Sequence, residues 1–392
     1  MFKILTLNNI SSQGLNQLPR ELYEVASEIQ NPDGILVRSQ DMHAMEMPSS
    51  VKVVGRAGAG VNNLPIKIFT ERGIPVLNTP GANANAVREL VIAGMLLASR
   101  NICQSWDYVR QLKGTSAEID RLVEKNKKQF VGSELLGKTL GIIGLGNVGV
   151  KVANAALKLG MNVVGFDPTI TVNRAWELSS EVKQAHNLDD LLMESDFISF
   201  HVPLTNDTKN MVDASRLQLM KDGVVLLNFA RDGLIDKDAL LEALNQKKVS
   251  VYVNDFPCAD LNQHPNVISL PHLGASTKEA EENCAVMIVK QMRDFLEAGT
   301  ISNSVNFPSI DMAANPDAIR LAISNVNIPN MVAQISSKLA AAKLNIVSLM
   351  NKSRDDIAYT LIDVSADVDD DLMKNISDIK GVLQVRKIRK VD

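Results

Sequence analysis

A short glycine-spaced segment, Gly144-Leu145-Gly146-Asn147-Val148-Gly149, restricts the architecture of this 392-residue chain more than any other feature. It fits G-x-G-x-x-G, and it stands directly after the apolar run TLGII and directly before the helical run VGVKVANAALKLG. Glycines in that context answer to a strand that turns sharply into a helix. The first allows the tight turn, the second lets an anion approach the backbone, and the third lets the helix pack against the sheet. The helix start adds unpaired N–H donors aimed at the same anion. A second apolar run, MNVVGFD, ends on Asp167, 18 positions beyond Gly149, close to the ~20 at which an acidic residue meets ribose hydroxyls. The combination implies a dinucleotide, and an acid at that place repels a 2′-phosphate, so NAD is expected over NADP.

The rest of the chain is organised around that unit. Before it, the short β-rich runs FKILTL, GILVR, VKVVGR and IPVLN alternate with helix-period segments, a βαβ pattern. From Ala84 to Leu112 apolar residues recur at three- and four-residue spacing without proline, which predicts one long helix. The series KTLGIIGLG, MNVVGFD, DFISFHVPL, GVVLLNFAR, VSVYVND and NVISLPHLG offers six strands for a doubly wound sheet. A helix is expected from Thr277 to Ala298, a Pro- and Asn-containing linker over 304–317, and then the order strand, helix, strand, strand, helix, strand over 318–392. That last order is the ferredoxin-like βαββαβ unit. The expected fold class is therefore α/β, with two doubly wound Rossmann-like parallel-sheet domains and a C-terminal ferredoxin-like domain.

A net charge of -4 and a pI near 5.8 give no general attraction to nucleic acid or to an anionic membrane. Neither a secretory signal nor a spanning apolar stretch is visible, so the cytoplasm is the expected setting. Cys103, Cys258 and Cys284 are odd in number and far apart, which argues against a disulfide framework or a metal site and for reduced thiols.

Oxidising a secondary alcohol with NAD requires a proton acceptor, a cation for the carboxylate and carbonyl, and an acid that holds the base. Arg231 follows the apolar strand VVLLNFA, at the carboxyl end where open α/β sheets place ligands, and a planar guanidinium can grip a carboxylate bidentately. His272 in NVISLPHLGAST also follows a strand and is the candidate acid/base. Asp260 lies between them in VNDFPCADL, and a carboxylate beside His272 would favour the imidazolium. Each residue alone is more often structural, and their order behind the glycine fingerprint is what singles them out.

The segments GLGNVG, NFARDGLID and PHLGAST, with NTPGANANAVRE and GRAGAGVNNL before them, resemble the D-2-hydroxyacid dehydrogenase family, most closely its branch acting on 3-phosphoglycerate. The C-terminal unit resembles the ACT domain that many such enzymes append, so the likeness covers essentially the whole chain. The resemblance implies a discontinuous substrate domain, 1–92 completed by 279–303, a cofactor domain over 93–278, and an active site in the cleft between them. It assigns Arg231 to substrate binding and polarisation, His272 to acid/base work, and an acidic partner to His272. That partner is normally Glu in the family, and this chain offers the shorter Asp260.

The resemblance also places Asp255 near the nicotinamide carboxamide. His201, Val202, Pro203, Ala230 and Gly274 join the fingerprint residues Gly144, Gly146, Asn147, Val148, Gly149 and Asp167 along the cofactor. Arg38, Arg56 and Asn78 become the substrate contacts, the two arginines clamping a phosphate. Asn325, Asn327 and Asn345 become contacts for an L-serine effector, although several relatives carry His where this chain has Asn325. A homodimer or homotetramer in the pathway of serine synthesis is expected. The alternatives are a dehydrogenase of an unphosphorylated acid such as glyoxylate or lactate, and a non-catalytic NAD-binding regulator.

Overall fold

Apolar, β-branched runs too short to bury themselves become parallel strands here, and the helices between them cover both faces. In a computed structural model describing residues 1–313 and 315–388, the chain divides into two units, Met1–Asn83 with the chain from Lys278 onward, and Ala84–Thr277.

The first unit opens with a five-stranded parallel sheet in the order Tyr23–Ala26, Phe2–Leu7, Gly34–Val37, Val53–Arg56, Val76–Leu77. This is a doubly wound order. The edge strand Tyr23–Ala26 is absent from the sequence expectation, because YEVA is too short and polar to stand out. The helix Lys278–Ala298 belongs to this unit and lays Cys284, Ile288, Val289, Met292 and Phe295 against Ile4, Leu36 and Val53. Burying such side chains stabilises by about 1.5–3 kcal/mol each, so the returning helix completes the core.

The expected linker over 304–317 is not a free connection. Ser304 bridges to Leu77, and the Asn306 side chain accepts from the Val76 amide at 2.8 Å and donates to the Ile74 carbonyl at 3.0 Å. Phe307 and Ile310 are 1% exposed. The polar residues that suggested a loop are the ones that satisfy the backbone at the edge of the sheet.

The C-terminal sheet is antiparallel, ordered Ile346–Arg354, Ile357–Val364, Ile319–Val326, Val382–Ile388, and the helices Met331–Ala341 and Asp370–Ser377 bury Met331, Ile335, Leu339, Leu372 and Ile376 in its core. The βαββαβ unit is thus present as expected. Arg320 and Asp363 form a buried ion pair inside it, at 2.7 and 3.0 Å. The same guanidinium donates to the carbonyls of Ala298, Met312 and Ala313, so it ties the sheet to the end of the returning helix.

The second unit holds a seven-stranded parallel sheet ordered Val267–Ser269, Val249–Asn254, Val224–Asn228, Phe197–Phe200, Thr139–Ile143, Asn162–Phe166, Lys183–Gln184. The six expected strands are joined by the exposed two-residue edge Lys183–Gln184. Strand order reverses between Thr139–Ile143 and Phe197–Phe200, and ligands of such sheets bind at that switch point.

The single helix expected over Ala84 to Leu112 is two, Ala84–Ser99 and Ile102–Gln111. Asn101 adopts φ +49 between them, and the Ser99 carbonyl accepts from the Ser133 amide at 2.8 Å instead of continuing the helical ladder. Gly132 permits that approach, since a Cβ there would lie 2.1 Å from the Ser99 oxygen. Periodicity carries through the break because the break is made by a distant segment.

Replacing Asp363 by Ala leaves Arg320 buried without its counter-charge. Urea denaturation is expected to show a loss of about 3–5 kcal/mol, whereas Lys67→Ala, at a side chain 90% exposed on the helix Ile66–Glu71, should change stability by no more than about 0.5 kcal/mol.

Candidate active site

The glycine loop has the geometry that its spacing implies. Gly144 takes φ +93, and a Cβ there would lie 2.7 Å from the His201 carbonyl oxygen. A Cβ on Gly149 would stand 1.9 Å from the Gly144 oxygen, so the helix Gly149–Lys158 can start there only with glycine. A Cβ on Gly146 would meet nothing within 4 Å. Two glycines are therefore demanded by the protein itself, while the third leaves open space beside an uncapped helix N-terminus whose N-cap is Val148. Those features fit a pyrophosphate. Asp167 takes the Leu145 amide at 2.8 Å on one oxygen and the Thr169 amide at 2.8 Å on the other, which fixes its carboxylate at the end of Asn162–Phe166.

The segment His201, Val202 and Pro203 runs past the turn, with Val202 Cγ1 2.8 Å from the Cβ position of Gly144. The His201 ring is 2.9 Å from the Ser199 hydroxyl, and burial pushes its pKa down to about 3. It is neutral throughout the physiological range.

Two buried asparagines, which the sequence reading passed over, shape the other strand ends. Asn228 and Asn254 sit opposite one another in register at the ends of Val224–Asn228 and Val249–Asn254, each 1% exposed. Asn228 accepts from the Ala230 amide at 3.2 Å and donates to the Arg231 carbonyl at 2.9 Å, so it staples the turn that presents Arg231. Asn254 accepts from the Phe256 amide at 2.9 Å and donates to Ser269 at 3.0 Å. The signal in the sequence was an asparagine closing two successive apolar strands. The Arg231 guanidinium donates to the Ala230 carbonyl at 2.7 Å.

His272 is exposed and holds φ +57, with its ring edge-on to Phe256 at 5.2 Å between centroids. Asp255 supports that left-handed turn. Its two oxygens accept from the Leu273 and Gly274 amides, both at 2.7 Å. Burial raises the Asp255 pKa, opposed by those two hydrogen bonds and by the charge of His272. Asp260 is exposed in the first turn of Ala259–Asn262, where its charge acts on Lys237. Among the described residues no hydrogen bond joins Asp260 to His272, and the carboxylate next to the His272 loop is Asp255.

In the first unit Arg38, Arg56 and Asn78 lie at the carboxyl ends of three neighbouring parallel strands. Arg56 Nε donates to the Arg38 carbonyl at 3.1 Å, and Asn78 donates to the Ala59 carbonyl at 2.6 Å. Arg38 is bound to Glu281 at 2.7 Å. In the C-terminal sheet Asn325 and Asn327 line a small cavity of about 160 Å³ with Asn330, Met331 and Asn351. Asn345 does not line it; it lies just before the strand Ile346–Arg354 and is bonded through its backbone to Ser365.

Residues 92–274 match the family described as D-isomer specific 2-hydroxyacid dehydrogenase, NAD binding domain. The chain is 38% identical over 301 residues to the D-3-phosphoglycerate dehydrogenase of Archaeoglobus fulgidus, covering 74% of this chain and 54% of that protein. It thus spans about half the length of that relative. It is 31% identical over 353 residues to the D-3-phosphoglycerate dehydrogenase of Haemophilus influenzae, covering 87% of this chain and 82% of that protein. The NAD+-bound 3-phosphoglycerate dehydrogenase of Entamoeba histolytica superposes with a TM-score of 0.60 at 27% identity, covering 78% of this chain and 98% of that one. The chain belongs to the D-isomer specific 2-hydroxyacid dehydrogenase family, and its second unit carries that family's NAD-binding domain.

Asp255→Asn keeps one acceptor and turns the other oxygen into a donor facing a backbone N–H. An unsatisfied buried donor costs about 1–3 kcal/mol, so hydrogen exchange at the Leu273 and Gly274 amides should speed by roughly tenfold or more. Unchanged protection there would remove Asp255 as the brace of the His272 loop.

Proposed function

We propose that this protein is an NAD-dependent dehydrogenase that oxidises 3-phospho-D-glycerate to 3-phosphohydroxypyruvate, the first step of L-serine synthesis. The observation that carries the reading is the arrangement of strand ends. Arg231 and the His272 loop follow Val224–Asn228 and Val267–Ser269, the two strands that flank Val249–Asn254 in the sheet that carries the glycine fingerprint, and two arginines close neighbouring strands of the first sheet. His272 accepts the proton of the substrate's 2-hydroxyl, and Arg231 holds the carboxylate and polarises the forming carbonyl. NAD, when bound, supplies the hydride acceptor. Arg38 and Arg56 hold the phosphate, with Asn78 keeping the adjoining loop in place. In this reading Asp255 orients the His272 loop, and Asp167 prefers NAD over NADP through the ribose hydroxyls.

Serine is the proposed effector. The Asn325 Oδ1 atom is buried without a hydrogen-bond partner beside the small cavity, and an ammonium group is the donor it lacks. Homo-oligomerisation, as a dimer or tetramer, and a cytoplasmic setting complete the proposal. The latter is supported by three free cysteines and accords with the finding that, among the described residues, no helix is long and apolar enough to cross a membrane.

The ion pair between Arg38 and Glu281 favours a second reading, a dehydrogenase of an unphosphorylated 2-hydroxy acid, because one phosphate ligand is already engaged. NADH consumption with phosphohydroxypyruvate, glyoxylate and pyruvate decides between them. Preference for the phosphorylated keto acid is expected. Arg56→Ala should then raise its KM by about tenfold or more, the loss of one charge-assisted contact, and equal turnover of all three acids would reject the phosphate assignment.

His272→Ala should lower kcat by at least about 10²-fold while NADH binding, followed by fluorescence, is retained. Parallel loss of both would count against the acid/base role. If serine inhibits, Asn325→Ala should abolish that inhibition with kcat intact, and inhibition surviving in this variant would reject the cavity as the effector site.

A further inference from the structure

The arginine cluster of the first unit includes an acid that the reaction above does not use. Arg38 and Arg56 leave neighbouring parallel strands side by side, with Val37 opposite Arg56 in register. The first turn of Lys278–Ala298 faces them, and there Glu281 Oε1 lies 2.7 Å from Arg38 Nη2. The Arg38 hydrogen bond holds the Glu281 carboxyl below its ordinary range against a smaller effect of burial. Cys284, one turn further along, reports the same neighbourhood. Burial pushes its thiol up, and Arg38, Arg56 and Glu281 all act on it. The Arg38–Glu281 pair and the Arg56 side chain, which donates to the Arg38 carbonyl, therefore stand together at the strand ends.

We propose that Glu281 is an internal anion that occupies Arg38 and sets the discrimination between phosphorylated and unphosphorylated substrates. The inference rests on the phosphate-clamp reading of Arg38 and Arg56 and deepens it. The side chains of Arg38 and Glu281 keep 33% and 43% of their exposure, so water screens the pair and it is easily exchanged. A phosphate monoester offers the same guanidinium more oxygens and more charge than one carboxylate does, and it displaces Glu281. It must break the pair to do so, and it then sits beside a carboxylate of its own sign. A carboxylate-only substrate meets neither cost. Glu281 thus weakens binding of phosphorylated ligands selectively and prevents free phosphate from occupying the site unopposed.

Glu281→Gln removes the charge and keeps the shape. With the full chain and NADH, the KM for phosphohydroxypyruvate and the inhibition constant for inorganic phosphate should each fall about threefold to fivefold, the range of one screened ion pair. The KM for unphosphorylated hydroxypyruvate should move by less than about twofold on the same grounds, and kcat should move far less than KM. Glu281→Ala, checked by thermal melting, should shift both constants in the same direction. A higher KM for the phosphorylated acid in both variants would overturn the proposal and make Glu281 a brace for Arg38, and equal shifts for both acids would overturn it as well. Arg38→Gln separates the underlying reading. If it leaves the preference between the two acids intact, the phosphate clamp itself fails. If it abolishes the preference while Glu281→Gln fails to strengthen it, only the role of Glu281 is lost.

Discussion

Parallel strand pairing governs where this protein can do chemistry. Parallel neighbours cannot be joined by a tight hairpin, so each strand must be followed by a crossover, and every crossover leaves from the carboxyl edge of its sheet. In the second unit that edge gathers the glycine turn after Thr139–Ile143, Asp167 after Asn162–Phe166, His201 after Phe197–Phe200, Arg231 after Val224–Asn228 and the His272 loop after Val267–Ser269. In the first unit it gathers Arg38, Arg56 and Asn78. Residues spread over long stretches of sequence become neighbours because their strands pair, not because any local motif joins them.

Edges of that kind consist of loops, and loops hold functional groups only when something buried restrains them. Asn228, Asn254 and Asp255 serve that purpose, each 1% exposed: the two asparagines accept from amides of the turns beyond their own strands, and Asp255 accepts from two amides of the loop after Val267–Ser269. An unsatisfied buried polar atom costs about 1–3 kcal/mol, so each brace is enforced by its own burial. The left-handed backbone of His272 depends on this, because a non-glycine residue at positive φ persists only where its surroundings over-determine it. Asp255 supplies that determination through two amides just downstream.

Much of this was legible in the sequence, for a physical reason. Apolar strands and amphipathic helices print their burial directly as periodicity, so the main strands of both parallel sheets and the βαββαβ unit could be drawn from the chain, and the glycine loop followed from steric demands that no other residue meets. What was not legible depends on partners distant in sequence. The helix break at Asn101 is made by Ser133 taking the Ser99 carbonyl. The segment 304–317 reads as a linker until Asn306 is seen to bond residues of the sheet edge. Edge strands of two and four residues, Lys183–Gln184 and Tyr23–Ala26, carry too little pattern to be recognised. That Asp255 accepts from two amides of the His272 loop is likewise a contact between segments that spacing along the chain does not reveal.

The charge arrangement at the first sheet follows from the same logic of strand ends. Two arginines at the ends of neighbouring strands repel one another, and a fold that places them there must supply counter-charge or leave them to solvent. The returning helix answers with Glu281 in its first turn, where the helix dipole also favours an acid. In the proposed reading, stability and substrate preference are coupled through this one carboxylate. On that proposal the anion that balances the ligand-free cluster is the one a phosphorylated ligand displaces, so removing it gains affinity and costs stability of the ligand-free protein.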